Sequence, residues 1–369
     1  MIPLSSVITR FAADYLRQYA ATILPSQRQA LSAMQQCRTA RAPRLLAACS
    51  ACAEQRLVPH SCGHRSCPHC QHHESQQWLE RQLQRQVPGN YFLLTFTLPA
   101  QLRELAWRHQ RAVYGMLFDC AWATVNTFSQ NDKQLRGRPG AVAVLHTHSR
   151  RLEFHPHVHL AMPAAALDTE QRLWRTKRSG HGNGYLFNHR ALAKVFRAKV
   201  LAALAAAGIA LPPGVPDKWV VDVKGVGDGK QVLVYLGRYL YRGVIREQDI
   251  LSCDNGQVRF RFRDGKTGKL TVRTVSGATF LHLILQHVLP KGFRRARNFG
   301  FLHPNSKRLL ALLQVLLKMQ PNPLRAAPRP RPSLLCPCCS APMIVVRRRL
   351  PPPGMDRPRG IDLTQGPVM

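Results

Sequence analysis

Apolar residues recur along this chain with two periods, and the changes of period divide it into elements. Near the amino terminus Phe11, Tyr15, Leu16 and Tyr19 stand at helical spacing, so residues 1–36 read as one or two amphipathic helices. A second helical stretch runs from Glu74 to Gln86 and is broken by Pro88-Gly89. Tyr91-Phe-Leu-Leu-Thr-Phe-Thr-Leu98 is aromatic and apolar and stops at Pro99, the pattern of a buried strand. Residues 102–129 read as helical, 141–148 and 154–162 as extended, and 188–207 as a helix ending near Gly208 and Pro212. Lys218-Trp-Val-Val-Asp-Val-Lys224 reads as a strand and 229–242 as a helix. Gln257 to Phe262 and Lys269 to Val275 alternate around Asp264-Gly265 as a hairpin. The order β-α-β-β-α-β-α predicts a compact α+β domain.

The tail differs in kind. Twelve of the 27 prolines and eight arginines fall in residues 321–369, so most of it is expected to be disordered. Charge narrows the class of partner. Lys and Arg number 53 against 19 Asp and Glu, a net charge of +34, which calls for a polyanion. The most apolar run, Leu309 to Leu317, falls short of the ~18–20 residues that span a bilayer. The first residues lack the basic start of a signal peptide. Nucleic acid is therefore the expected partner rather than a membrane, and the eleven cysteines are expected to be metal ligands or free thiols.

Six of those cysteines and five histidines lie in residues 37–73. Cys49-Ser-Ala-Cys52 and Cys67-Pro-His-Cys70 are two Cys-x-x-Cys knuckles at zinc-ribbon spacing. Four thiolates fill a tetrahedral shell with no open position, so Cys49, Cys52, Cys67 and Cys70 are expected to hold one structural zinc. Cys37 and Cys62 stay open, as replacements for one of these ligands or as parts of a second site with His60, His64 or His69. Cys336-Pro-Cys-Cys339 is a third knuckle, half a site that binds zinc weakly unless another segment completes it.

The reactive chemistry centres on His155-Pro-His-Val-His159. His157 and His159 sit at i and i+2 of a strand, on one face and roughly 6.5–7 Å apart, within reach of one metal ion, with Val158 packed into the core behind them. Tyr235-Leu-Gly-Arg-Tyr239 puts two phenols on one face of a helix. Singly, such histidines are usually satisfied structural groups and such tyrosines a packing stripe. Together, in a very basic chain with a zinc ribbon, they form a pattern for covalent attack on a DNA phosphodiester. Phenol, with a pKa of ~10, needs activation, and a divalent ion on the histidines would polarise the phosphate. The third ligand stays open among His146, His148 and Gln231; imidazole ligation suits Zn or Mn better than Mg. Arg238 and Arg242 flank the tyrosines and suit phosphate contacts, as do Lys291, Arg294, Arg295 and Arg297. Gly265-Lys266-Thr267 looks like the end of a nucleotide-binding loop, but Phe260 stands where its first glycine belongs, so no nucleotide cofactor is expected.

In these motifs the sequence resembles the two-tyrosine members of the HUH nuclease superfamily, specifically the rolling-circle transposases of the insertion-sequence ninety-one type. The resemblance runs from about residue 10 to 305. It covers Cys37-Arg-Thr, Ser61-Cys-Gly-His-Arg-Ser-Cys-Pro-His-Cys-Gln71, the strand from Tyr91, Leu145-His-Thr, the histidine and tyrosine motifs, and His287-Val-Leu-Pro-Lys-Gly-Phe-Arg-Arg-Ala-Arg297. It implies an HUH endonuclease-like antiparallel sheet with flanking helices, after a small zinc ribbon and before a basic, partly disordered tail. It implies Mg or Mn on His157 and His159, 5′-phosphotyrosine links at Tyr235 and Tyr239, and single-stranded transposon ends and target as partners. Host replication proteins and a bacterial, nucleoid-associated cytoplasmic setting follow from the same resemblance. The expected divisions are 1–36 helices, 37–86 zinc-binding domain, 88–250 nuclease domain, 251–320 hairpin and helices, and 321–369 tail. The sequence departs from the family at Ser66 (usually His), His148 (usually Trp), Cys338 and Ser340. Two other readings remain: a rolling-circle replication initiator or relaxase, and a zinc-ribbon DNA-binding protein without catalysis. The ribbon and the Leu289 to Phe293 block favour the transposase.

Overall fold

The computed structural model describes residues 2–177, 186–241, 244–265, 267–319 and 333–351, without the side chains of His72, Tyr239 and Tyr241. The chain opens with α1 (Leu4–Gln18) and α2 (Pro25–Gln36), then β1 (Arg44–Cys49), β2 (Gln55–Pro59) and α3 (His72–Leu83). Next come β3 (Tyr91–Thr97), α4 (Arg103–Arg108), α5 (Gln110–Asn131), β4 (Arg138–His148), β5 (Phe154–Pro163), β6 (Ala165–Asp168), β7 (Leu173–Thr176), α6 (His189–Ala206), β8 (Val220–Gly225) and α7 (Lys230–Tyr241). The last part holds β9 (Ile250–Asp254), β10 (Gln257–Arg263), β11 (Leu270–Ser276), α8 (Gly277–Leu285), β12 (Ala296–Gly300), α9 (Lys307–Leu316), β13 (Leu334–Leu335) and β14 (Pro342–Leu350). The fold is α+β with antiparallel sheets, as the sequence pattern predicts.

The main sheet runs β7-β6-β4-β5-β3-β8, with β12 on the free edge of β4. Its strands alternate, so each buries two different faces. Leu94, Phe96, Leu145, Val158 and Leu160 point to one side, against Leu117 and Phe118 of α5 and Phe196 of α6. Val142, Val144 and Ala161 point to the other, against Leu233, Leu236 and Leu240 of α7 and Trp78 of α3. Gly237 allows the α3–α7 approach: a Cβ there would stand 3.3 Å from the Trp78 ring, and Ser75 Oγ donates to the Gly237 carbonyl at 3.0 Å. The helix leaving the cysteine-rich segment is thus packed on the tyrosine helix.

A second sheet, β11-β10-β9, packs with α8 against α1 and α2. The 1–36 helices therefore share a hydrophobic cluster with the 251–285 region. Phe11 is seated directly over Gly277, where no side chain would fit. The third sheet, β13-β14-β1-β2, draws part of the tail into the fold: residues 334–335 and 342–350 form strands, and β14 pairs with β1 from Arg44↔Leu350 to Cys49↔Met343. Proline richness gives way there to Ile344, Val345 and Val346, residues that favour extended backbone. No helix among the described residues is long and apolar enough to cross a membrane.

Candidate active site and metal centres

The site is built by strand register. His146 of β4 lies directly opposite His157 of β5, and His159 follows at i+2 on the same face. One nitrogen from each of His146, His157 and His159 lies within 4.8 Å of the others. His146 is therefore the histidine that joins the expected pair. His148, two residues on, does not join it, because the β4–β5 register shifts between His146 and His148. Its ring instead lies 5.1 Å from that of His287. Gln231 is exposed on α7.

Neighbours fix how the imidazoles present themselves. The His155 carbonyl accepts from His157 Nδ1 at 2.7 Å, so that nitrogen carries the proton and Nε2 keeps its lone pair. His159 Nδ1 stands 2.9 Å from Thr95 Oγ1, across the β3–β5 pair. Burial depresses all three pKa values, His157 to about 4 and His159 to about 3, with further lowering of His159 by His157. His146 is driven well below 6.5 by burial and by His159 and His157. At neutral pH the cluster is three neutral nitrogen donors, the form a metal requires. The donor set fits a divalent ion, and among Mg and Mn it favours Mn.

Tyr235 of α7 lies over this cluster, its ring 6.1 Å from His146 and 6.0 Å from His159. It is 42% exposed, so one edge of the phenol faces solvent. Burial of the rest raises its pKa above 10, and Arg150 acts against that rise. Tyr235 opens on a cleft of about 320 Å³ lined also by Arg150, Arg238, Arg246, Arg261 and Arg263. The one carboxylate there, Asp249, is held by Arg246 and Arg261 at 2.6 and 2.8 Å, leaving a net positive surface. Tyr239 follows one turn later on α7, its side chain outside the described residues, as is the whole of Arg242.

The remaining basic expectations divide. Arg238, Lys291 and Arg294 are exposed. Arg294 and Arg297 line a second cleft of about 710 Å³ with Arg81, Arg85 and Arg111. Arg297 also pairs with Asp119 at 3.0 Å and covers the Phe118 ring. Arg295, expected among the DNA contacts, is half-buried. Its Nε donates to the Leu145 carbonyl at 3.1 Å and its guanidinium to the Leu240 carbonyl at 3.4 Å, a bridge from the histidine strand to the end of the tyrosine helix. A helix C-terminus leaves carbonyls without intrahelical partners, and a cation is favoured there. Sequence reasoning missed this bridge and Thr95. The only signal for Thr95 was its place in the β3 alternation.

The four-cysteine zinc site expected from sequence is also corrected. Cys67 and Cys70 cluster with Cys37 and Cys62, whereas Cys49 and Cys52 cluster with Cys336 and Cys339. Cys49 and Cys52 sit at the end of the β1–β2 hairpin, which pairs with β14 and so meets the carboxy-terminal knuckle instead of its neighbour in sequence. Sγ atoms of the first cluster are 3.5–3.7 Å apart. A tetrahedral ion with Zn–S of about 2.3 Å places its sulfurs about 3.8 Å apart, so the spacing fits one shared zinc. Backbone N–H groups support the thiolates: His64 N–H donates to Cys62 Sγ at 3.4 Å, and the N–H groups of Ala51 and Cys52 lower the Cys49 thiol to about 6.

Two stretches of the chain match known protein families. Residues 7–98 match a family model described as "Transposase zinc-binding domain", and residues 140–309 one described as "Putative transposase". The two define a transposase with an amino-terminal zinc-binding domain, a DNA-binding enzyme. The chain is 32% identical over 321 residues to "Putative transposase y4qJ" of Sinorhizobium fredii (strain NBRC 101917 / NGR234), covering 81% of this chain and 79% of that one. It is 29% identical over 305 residues to "Transposase for insertion sequence element IS801" of Pseudomonas savastanoi pv. phaseolicola, covering 77% and 70%. The chain belongs to the insertion-sequence ninety-one family of transposases.

Proposed function

We propose that this transposase is a metal-dependent HUH enzyme that cleaves and rejoins single DNA strands by the rolling-circle route, through 5′-phosphotyrosine intermediates. The observation that carries this reading is a cluster of three neutral imidazoles beneath the ring of a half-exposed tyrosine in a basic cleft. A Mg or Mn ion on His146, His157 and His159 would supply Lewis-acid polarisation of the scissile phosphate and offset the charge that develops on it. Tyr235 supplies the nucleophile. Its Oη–P bond forms as the P–O3′ bond breaks; the phenol proton is lost and the departing 3′ oxygen leaves as a hydroxyl. Arg150 favours the phenolate, and Arg238 at the cleft wall suits the strand's phosphates. In the return step a 3′ hydroxyl attacks phosphorus and the phenolate leaves, so energy is stored in the phosphotyrosine and no nucleotide is consumed. Tyr239, one helical turn away, would serve a second strand end in the same way.

A joining assay tests this. Single-stranded oligonucleotides from the flanks of the element are mixed with an acceptor strand, protein and either Mn or Mg, without nucleotide triphosphate. The expected result is a joined strand, formed faster with Mn than with Mg and absent without a divalent ion. Tight DNA binding with neither cleavage nor joining under any of these conditions would instead favour the non-catalytic reading.

A further inference from the structure

Cys49 and Cys52 close the β1–β2 hairpin, and Cys336 and Cys339 lie between β13 and β14, 284 to 290 residues further along the chain. Their sulfurs nevertheless meet. Cys49 and Cys339 Sγ are 3.5 Å apart, and Cys52 Sγ is 3.6 Å from those of both Cys336 and Cys339. A disulfide requires about 2.05 Å, whereas four sulfurs around one zinc stand about 3.8 Å apart. The Ala51 N–H donates to Cys49 Sγ at 3.3 Å, as in a metal-binding knuckle. The β1–β14 ladder and the Ser50 Oγ–Pro342 carbonyl bond at 2.9 Å join the two hairpins, but the apolar core between them is small. Among the described residues its buried apolar cluster is Ala47, Cys49, Cys336 and Met343, with Leu45, Leu334 and Ala341 partly buried against it, while Ile344 and Val346 of β14 are 62% and 57% exposed. Where an apolar core is this small, a metal cross-link adds much of the stability.

We propose that Cys49, Cys52, Cys336 and Cys339 bind a second structural zinc, distinct from that of Cys37, Cys62, Cys67 and Cys70, and that it fastens the carboxy-terminal segment to the amino-terminal ribbon. The matched zinc-binding domain ends at residue 98 and holds only half of these ligands. With the ion bound, β14 covers the edge of β1, and the ribbon is complete only when residues 336–350 are present. A chain shortened before Cys336 has an open ribbon edge and one zinc.

The full-length protein, purified under reducing conditions without added chelator, is analysed for zinc by plasma mass spectrometry and digested briefly with trypsin. The expected count is two zinc per chain, falling to one in the Cys336→Ser, Cys339→Ser double variant. Arg347, Arg348 and Arg349 are cut slowly in the wild type and at least tenfold faster in the variant, while the main sheet stays protected. A count of one in the wild type overturns the proposal without any variant. So does retention of two zinc ions in the double variant, or equal cutting at these arginines in both proteins.

Discussion

Replacing His146 with alanine is expected to abolish metal-dependent strand cleavage as completely as replacing His157 or His159. The three nitrogens share one face of β4 and β5, and His146 is only 1% exposed, so nothing from solvent can take its place without a cavity. Lewis-acid assistance contributes several kcal/mol to such reactions, and each 1.36 kcal/mol is tenfold in rate. Loss of one of three protein ligands should therefore cost on the order of 10³-fold. His148→Ala is the control. It lies on the same strand but turns toward His287, and its removal should cost less than about tenfold. The measurement is single-turnover cleavage of a single-stranded oligonucleotide at saturating Mn. If His146→Ala stays within tenfold of wild type, or His148→Ala falls as far, the ligand assignment is wrong.

The second large effect is on stability against pH. His157, His159 and His287 have folded pKa values of about 4, 3 and 3, lowered first of all by burial, against 6.5 when exposed. His287 is held by the Leu152 carbonyl, 3.0 Å from Nε2, and by Thr147 Oγ1, 3.2 Å from Nδ1, both consistent with a neutral ring. The sign follows from proton binding. Below pH 6.5 the unfolded chain takes up protons that the folded chain refuses, so stability is full above 6.5 and falls as pH drops toward the folded values. At pH 5.5 each of these histidines costs about 1.4 kcal/mol, roughly 4 kcal/mol for the three, against the 5–15 kcal/mol of a typical domain. Urea denaturation of protein prepared without added Mg or Mn should show the midpoint dropping sharply between pH 7.5 and 5.5. Added Mn should restore part of the loss, since it binds only the neutral imidazoles. A midpoint that does not move over this range would mean that these histidines are not buried as described.

Periodicity made most of the main domain legible. The strand from Tyr91, the two strands carrying histidines and the helix carrying tyrosines are all long and strongly patterned, and each forms within a few residues of its expected bounds. Shorter elements were not legible: β6, β7 and β12 are four or five residues long and owe their form to pairing with β4 or with each other. Choosing between His146 and His148 needed the register of two strands and the irregularity between those residues, which no local pattern encodes. The cysteine pairing failed for a related reason. Two knuckles close in sequence were the natural partners until β14 returned to β1 and supplied a third. The bridging role of Arg295 was not legible because its carbonyl partners, Leu145 and Leu240, lie on elements far from it in sequence.

The most direct test of the central claim is covalent capture. Protein is incubated with single-stranded DNA from the flanks of its own element and Mn, denatured, digested to peptides and analysed for nucleotide-bearing tyrosine by mass spectrometry. The expected result is a 5′-phosphotyrosine on the α7 peptide at Tyr235 or Tyr239, lost in the Tyr235→Phe, Tyr239→Phe double variant and in His159→Ala. An adduct on any residue outside α7, or one that survives in the double tyrosine variant, would contradict it.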